Sequence, residues 1–223
     1  MSINDEISKK LINKISNDNS GNALQSILKD LIQCEIKIYA NGNHLLTIKA
    51  YWIELYYYKD NTINCGLKSK GRNKGKPVCD IHENKKYNNR LYFNERFQNN
   101  CPPNEIKSDR MDICLGNKNK DNNLYISVLI KRADIYDSNG TKINTNFTDS
   151  TIAKIVKRSY MDQNSLKVNT NINFNDLKDL TYELGVSHDK LHDIKFCRRV
   201  NIVNNNKYAC YDSSKYCDVI NIK

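Results

Sequence analysis

Lys49-Ala50-Tyr51-Trp52-Ile53-Glu54-Leu55-Tyr56-Tyr57-Tyr58-Lys59-Asp60 is dense in aromatic and branched apolar side chains. Such composition favours a strand, and Lys59-Asp60-Asn61 reads as the loop into which it opens. Alternation places Trp52, Glu54, Tyr56 and Tyr58 on one face, and Tyr51, Ile53, Leu55 and Tyr57 on the other. One acid then stands among three rings. Partial desolvation favours the neutral form of a carboxylate and suits it to general-base work, while aromatic rings are what an extruded nucleobase stacks on. The same pattern also fits an edge strand with a solvated Glu54 between amphipathic tyrosines.

Upstream, Glu35–Tyr39 and His44–Ala50 read as strands joined by Ala40-Asn41-Gly42-Asn43, where Asn-Gly is a hairpin signal, and the second runs into the Glu54 strand. Before them, residues 5–17 and 21–33 read as two helices split by Asn17-Asp18-Asn19-Ser20-Gly21. In the second, Leu24, Ile27, Leu28, Leu31 and Ile32 form an apolar stripe.

Downstream, residues 61–89 lose apolar periodicity and read as a long basic loop, with Lys68, Lys70, Arg72, Lys74 and Lys76 interleaved by Gly66, Gly71 and Gly75. It is either simply solvated or able to track a phosphate backbone. Arg90–Phe93 is a short strand, and Cys101-Pro102-Pro103 breaks the chain. Asp109–Leu115 and Leu124–Lys131 form an antiparallel pair, and the second is apolar on both faces and therefore central. Lys131, at its end, either snorkels outward or is placed for use.

Residues 148–160 read as a helix capped by Thr148 or Asp149, with Ile152, Ile155 and Val156 buried. A further helix is expected over Asn175–Leu184, stopped by Gly185, and a short one over 187–193. Cys197–Val203 and Tyr208–Ile222 look strand-like. The expected fold is α+β: a largely antiparallel curved sheet flanked by helices in one domain, residues 21–223, behind a helical extension over 1–20.

The charge is +10, from 35 basic and 25 acidic residues, at a mean hydropathy of -0.71. Phosphate polymers are the commonest partners of so basic a surface. No apolar run is long enough to span a bilayer and the first residues do not resemble a signal peptide, so a cytoplasmic, soluble protein with no membrane partner is expected. The eight cysteines hold no C-x-x-C pair and no zinc-like spacing with histidine; reduced thiols and no metal are the expectation.

Ile53-Glu54-Leu55-Tyr56, Arg90-Leu91-Tyr92-Phe93, Met111-Asp112-Ile113, Ser127–Ala133 and Cys197–Ile202 together resemble, in order, the motifs of the alkyladenine (methylpurine) DNA glycosylase family. The resemblance spans roughly residues 22–203 and lies in motif order. It implies that Glu54 activates the attacking water and that Tyr56, with Trp52 beside it, meets the flipped base. Asp112 would lie in the base pocket and Tyr92 and Arg90 near the minor groove. Lys131 would stand where the family has Arg, near the water and a phosphate; Arg132, Arg198 and Arg199, with Lys70 and Arg72 of the basic loop, would grip DNA.

Three positions depart from the family. Asp112 replaces a common Asn, and an ionised carboxylate only accepts hydrogen bonds, so a base edge with donors such as an exocyclic amine is expected. No His obviously fills the second stacking position, for which Cys65, Tyr57 and the remoter His82 are candidates. Asp149-Ser150 replaces a Gly-Pro. The expected activity is that of a monofunctional DNA glycosylase, monomeric and without cofactor, acting on double-stranded DNA. A Lys131 nucleophile is disfavoured, because the amine would have to be neutral facing phosphate. Alternatives are removal of a hypermodified base from invading DNA, and a non-catalytic nucleic-acid-binding module.

Overall fold

Two long strands, β2 (Asn43–Lys59) and β7 (Tyr125–Asp137), pair antiparallel along almost their whole length and form the spine of the molecule. The computed structural model describes residues 13, 21–59, 62–63, 67–68, 90–94, 106, 110–115, 125–167, 172–186, 193–197, 202–203 and 209–212. The expected helices over 5–17 and 187–193, and most of the basic loop, lie outside these. Within the expected loop, β3 (Thr62–Ile63) pairs with the end of β2, and β4 (Leu67–Lys68) pairs with β11 (Ile202–Val203).

The outer edge of each spine strand is shared by two partners. β1 (Cys34–Ala40) takes β2 as far as Lys49, and β12 (Ala209–Asp212) takes it from Trp52. On β7, β6 (Arg110–Leu115) pairs up to Leu129, and β8 (Lys142–Thr148) begins at Arg132. One wing therefore carries β9 (Leu180–Val186), β1 and β8. The other carries β10 (Ile194–Cys197), β12, β6 and β5 (Arg90–Asn94). Among the described residues all pairings are antiparallel, and the sheet curls into a half barrel, an α+β fold with two helices, α1 (Gly21–Ile32) and α2 (Asp149–Gln163), packed on it.

Sequence explains most of these elements. The β1–β2 hairpin turns through Asn41 at φ 50 and Gly42 at φ 77, the left-handed pair that an Asn-Gly turn supplies without strain. Helix α1 (Gly21–Ile32) buries Ile27, Leu28, Leu31 and Ile32 on the sheet. Helix α2 (Asp149–Gln163) buries Ile152, Ala153, Val156 and Tyr160 in the same apolar core.

The helix expected over Asn175–Leu184 is not formed. A single 3-10 turn, Phe174–Asp176, is followed by β9, which pairs with β1. Leu180, Tyr182 and Leu184 are buried while Thr181 and Glu183 are exposed. That period of two outweighs the helical spacing of Leu177, Leu180 and Leu184, because β1 offers an open edge to pair with.

Asn175 instead joins the two wings. The backbone N–H of Phe93 donates to its Oδ1 at 2.7 Å, and its Nδ2 donates to the Phe93 carbonyl at 3.0 Å, so one side chain occupies the free edge of β5 as a strand would. Asn175→Ala should cost about 1–3 kcal/mol, because it removes the partner of both the part-buried N–H and the carbonyl of Phe93. Urea unfolding should show a lower midpoint at unchanged slope. Across the same concavity the Tyr182 hydroxyl donates to the Cys114 carbonyl at 3.0 Å.

The Tyr160 hydroxyl donates to Asp179 Oδ2 at 2.9 Å. Burial, then that hydrogen bond and the carboxylate's charge, push its pKa up to about 12 from 10.0. A raised folded-state pKa means that the phenol's contribution to stability is whole below pH 10 and is lost as pH rises toward 12. Tyr160→Phe should accordingly flatten the alkaline limb of a stability–pH curve in that window while leaving the acid limb in place.

Candidate active site

Both spine strands change parity at one level. In β2 the residues facing the core are Leu46, Ile48 and Ala50, then Ile53 and Leu55; in β7 they are Val128 and Ile130, then Ala133 and Ile135. The register slips here, between Ala50 and Trp52 and again between Trp52 and Ile53, and returns to step once Ile53 meets Ile130. Paired bulges of this kind raise local twist and re-aim side chains. One consequence is that Tyr51 does not share the face of Ile53 and Leu55, as plain alternation predicts. It packs with Trp52 in a small cluster apart from the main core.

Beyond the bulge, the face away from the helices holds the expected acids. Register aligns Tyr92 of β5, Asp112 of β6, Leu129 of β7 and Glu54 of β2 in one cross-strand row. The next row holds Arg90, Cys114, Ser127 and Tyr56. Upstream of the bulge the same face of β2 is half exposed at His44, Thr47 and Lys49, whereas here Glu54 is 2% and Asp112 4% exposed. Two carboxyl groups are thus held out of bulk water on one sheet face.

Each accepts a hydroxyl. Tyr56 donates to Glu54 Oε2 at 2.8 Å, and Ser127 donates to Asp112 Oδ2 at 3.1 Å. A buried carboxyl without such donors would carry a desolvation cost, so these bonds fix both position and rotamer. Tyr56 is itself buried, and in this structure its hydroxyl orients the acid. Cys114, in the same row as Ser127, is a free thiol whose burial pushes its pKa well up, which keeps it protonated and unsuited to nucleophilic attack at neutral pH.

Lys131 sits in the bulge of β7. Its Nζ donates to Asp149 Oδ2 at 3.0 Å and stands 5.9 Å from the centre of the Trp52 ring. Arg110 Nε approaches the same oxygen at 3.3 Å. Asp149 opens helix α2, where a negative charge also complements the helix dipole. Asp149 therefore anchors the candidate lysine, a link that periodicity does not reveal.

Of the residues singled out from sequence, Glu54, Tyr56, Asp112 and Tyr92 meet on this buried face, with Trp52 and Lys131 at its bulged end. Arg90 and Arg132 are partly exposed in the adjoining rows. Arg198, Arg199, Lys70, Arg72, Cys65 and His82 lie outside the described residues, as does the side chain of Tyr57. Ser127 and Arg110 were not foreseen as site residues. Arg110 is two residues from Asp112 on the same strand, and Ser127 stands on the paired strand opposite Cys114; that shared parity is the signal that marks them.

Among the described residues no three His, Cys, Asp or Glu side chains gather as a metal site, and no helix is long and apolar enough to cross a membrane. Compared with protein-family models, with curated proteins and with solved structures, the chain matches none.

Proposed function

We propose that the protein is a monofunctional DNA glycosylase, which turns a damaged or modified base out of duplex DNA and hydrolyses its N-glycosidic bond. The observation that carries this reading is the Glu54 carboxyl, 2% exposed and aimed by the Tyr56 hydroxyl on a face it shares with Asp112 and Tyr92.

Cleavage of an N-glycosidic bond passes through a sugar with developing positive charge. The site must therefore bring a water to the anomeric carbon, remove its proton and place negative charge nearby. Glu54 can serve both as base and as counter-charge. Exclusion of bulk water strengthens each of these interactions. Because both acids are enclosed, the reading requires an opening step before chemistry, as in other enzymes that sequester their substrates. The basic surface, at +10, helps offset the cost of extruding a base. Lys131, bonded to Asp149 beside Trp52, is placed to steady the bulged end of the site rather than to attack the sugar.

The test is incubation with duplexes carrying alkylated, deaminated and hypermodified bases, scored for alkali-labile abasic sites with and without borohydride. Abasic product with no trapped covalent adduct is expected. An adduct through Lys131 would replace hydrolysis by amine chemistry, and salt-sensitive DNA binding with no product from any duplex would favour a binding module. A product confined to hypermodified bases would point to action on invading DNA.

A further inference from the structure

We infer that β5 is a hinged leaf at the edge of the acid face and that the Asn175 side chain is its latch, so that release of Phe93 from Asn175 opens the enclosed site. The inference rests on the glycosylase reading for the purpose of the opening alone. The motion itself follows from strand pairing and hydrogen bonds.

β5 is the last strand of its wing, with β6 as its strand partner among the described residues. Its other edge lies against the turn Phe174–Asp176 and β9. There the Phe93 N–H donates to Asn175 Oδ1 at 2.7 Å, and Asn175 Nδ2 donates to the Phe93 carbonyl at 3.0 Å. A paired strand would supply such bonds along its backbone. Here one side chain supplies both, and a single change of its rotamer breaks both together. Phe174 seats this latch: its ring centre stands 5.7 Å from that of Phe93 and 5.9 Å from that of Tyr160. Lys157 Nζ lies 4.9 Å from the Phe174 ring centre and 5.1 Å from that of Phe93.

β6 is held more firmly. It pairs with β7 from Asp112 to Leu115, and the Tyr182 hydroxyl fixes its Cys114 carbonyl from across the concavity at 3.0 Å. The joint that gives way is therefore the one between β5 and β6. Tyr92 of β5 stands opposite Asp112 and packs with Cys114 in a small cluster apart from the main core. When the leaf turns out, β6 becomes the edge strand, and Asp112 and Cys114 lose the cover of Tyr92. Leu91 and Phe93 are buried and must leave the core in the same motion, so the open form is a minor one.

Cys114 reports on the leaf. Its thiol is 2% exposed, and burial pushes its pKa well up, so it reacts with an alkylating agent from the open or the unfolded chain and not from the closed one. A hydrogen bond that breaks on opening stabilises the closed form against opening and against unfolding alike. Its removal therefore speeds the labelling of Cys114 by the same factor that it lowers global stability. Removal of a bond that survives opening lowers stability and leaves the labelling unchanged.

The test is iodoacetamide labelling of the full chain without denaturant, followed at the Cys114 peptide by mass spectrometry, beside urea unfolding of the same proteins. In the wild type, labelling should be faster than global unfolding allows and should change little in dilute urea, because opening exposes little surface. Asn175→Ala should raise the labelling rate by about 5–150-fold, the factor that loss of these bonds implies. Tyr182→Phe should lower the urea midpoint and leave Cys114 labelling at the wild-type rate. Wild-type labelling at the rate of global unfolding would overturn the leaf. So would an Asn175→Ala protein that loses stability but labels no faster, or a Tyr182→Phe protein that labels as fast as Asn175→Ala. No DNA enters the measurement, so its failure leaves the hydrolytic reading standing, and absence of abasic product from every duplex would leave the leaf standing.

Discussion

Glu54→Gln should slow single-turnover base release by ~10²–10⁴-fold, the range that general-base catalysis contributes, while duplex affinity stays within a few-fold of wild type. The amide keeps the shape of the side chain and can still accept the Tyr56 hydroxyl, so the packing of the buried face is preserved. What it loses is a group able to take a proton from water and a negative charge beside the sugar. A fall in rate with affinity kept is the signature of an interaction made in the transition state alone. Thermal unfolding of the variant alongside wild type separates this from a loss of fold.

Asp149→Ala should destabilise the fold by about 3 kcal/mol or more, the cost of removing one member of a largely buried ion pair. Lys131 and Asp149 have side chains only 13% and 11% exposed, and Arg110 shares the same carboxylate oxygen from 3.3 Å. Without the acid, the Lys131 ammonium loses its carboxylate partner and is left 5.9 Å from the centre of the Trp52 ring, a weaker offset for its lost water. Helix α2 also loses the charge of its first turn. Asp149→Asn, which keeps size and removes charge, should fall between the variant and wild type. Urea midpoints of the three proteins test this order, and an alanine variant as stable as wild type would show that the pair contributes nothing net.

Local chemistry made much of this fold legible. Asn41-Gly42 announced the β1–β2 hairpin, the stripe from Ile27 to Ile32 announced α1, and the unbroken apolar run before Lys131 announced a central strand. Failures came where the deciding partner was distant in sequence. Leu180, Tyr182 and Leu184 become a strand because β1 is there to pair with, and Asn175, expected to begin a helix, bonds to Phe93 instead. The Lys131 strand continues six residues past its expected end, to Asp137, because β8 and β2 both pair with it.

The candidate site was legible in its residue types and less so in its arrangement. Alternation placed Glu54, Tyr56 and Trp52 on one face, but the bulge brought Tyr51 to that side as well. A shift in parity of the apolar residues, from Leu46, Ile48 and Ala50 to Ile53 and Leu55, is the trace such a bulge leaves in sequence. That Asp112 and Glu54 occupy one row depends on the β6–β7 and β2–β7 registers together, and neither register can be read from a single strand.

The experiment to do first measures free base. Mass spectrometry of the small molecules released from damaged or modified duplex DNA by the wild type and by Glu54→Gln would identify the base and the dependence on the carboxylate together. Release by the wild type, reduced at least ~10²-fold in the variant, is expected. Equal release by both proteins, or none by either while both bind DNA, would contradict a catalytic Glu54.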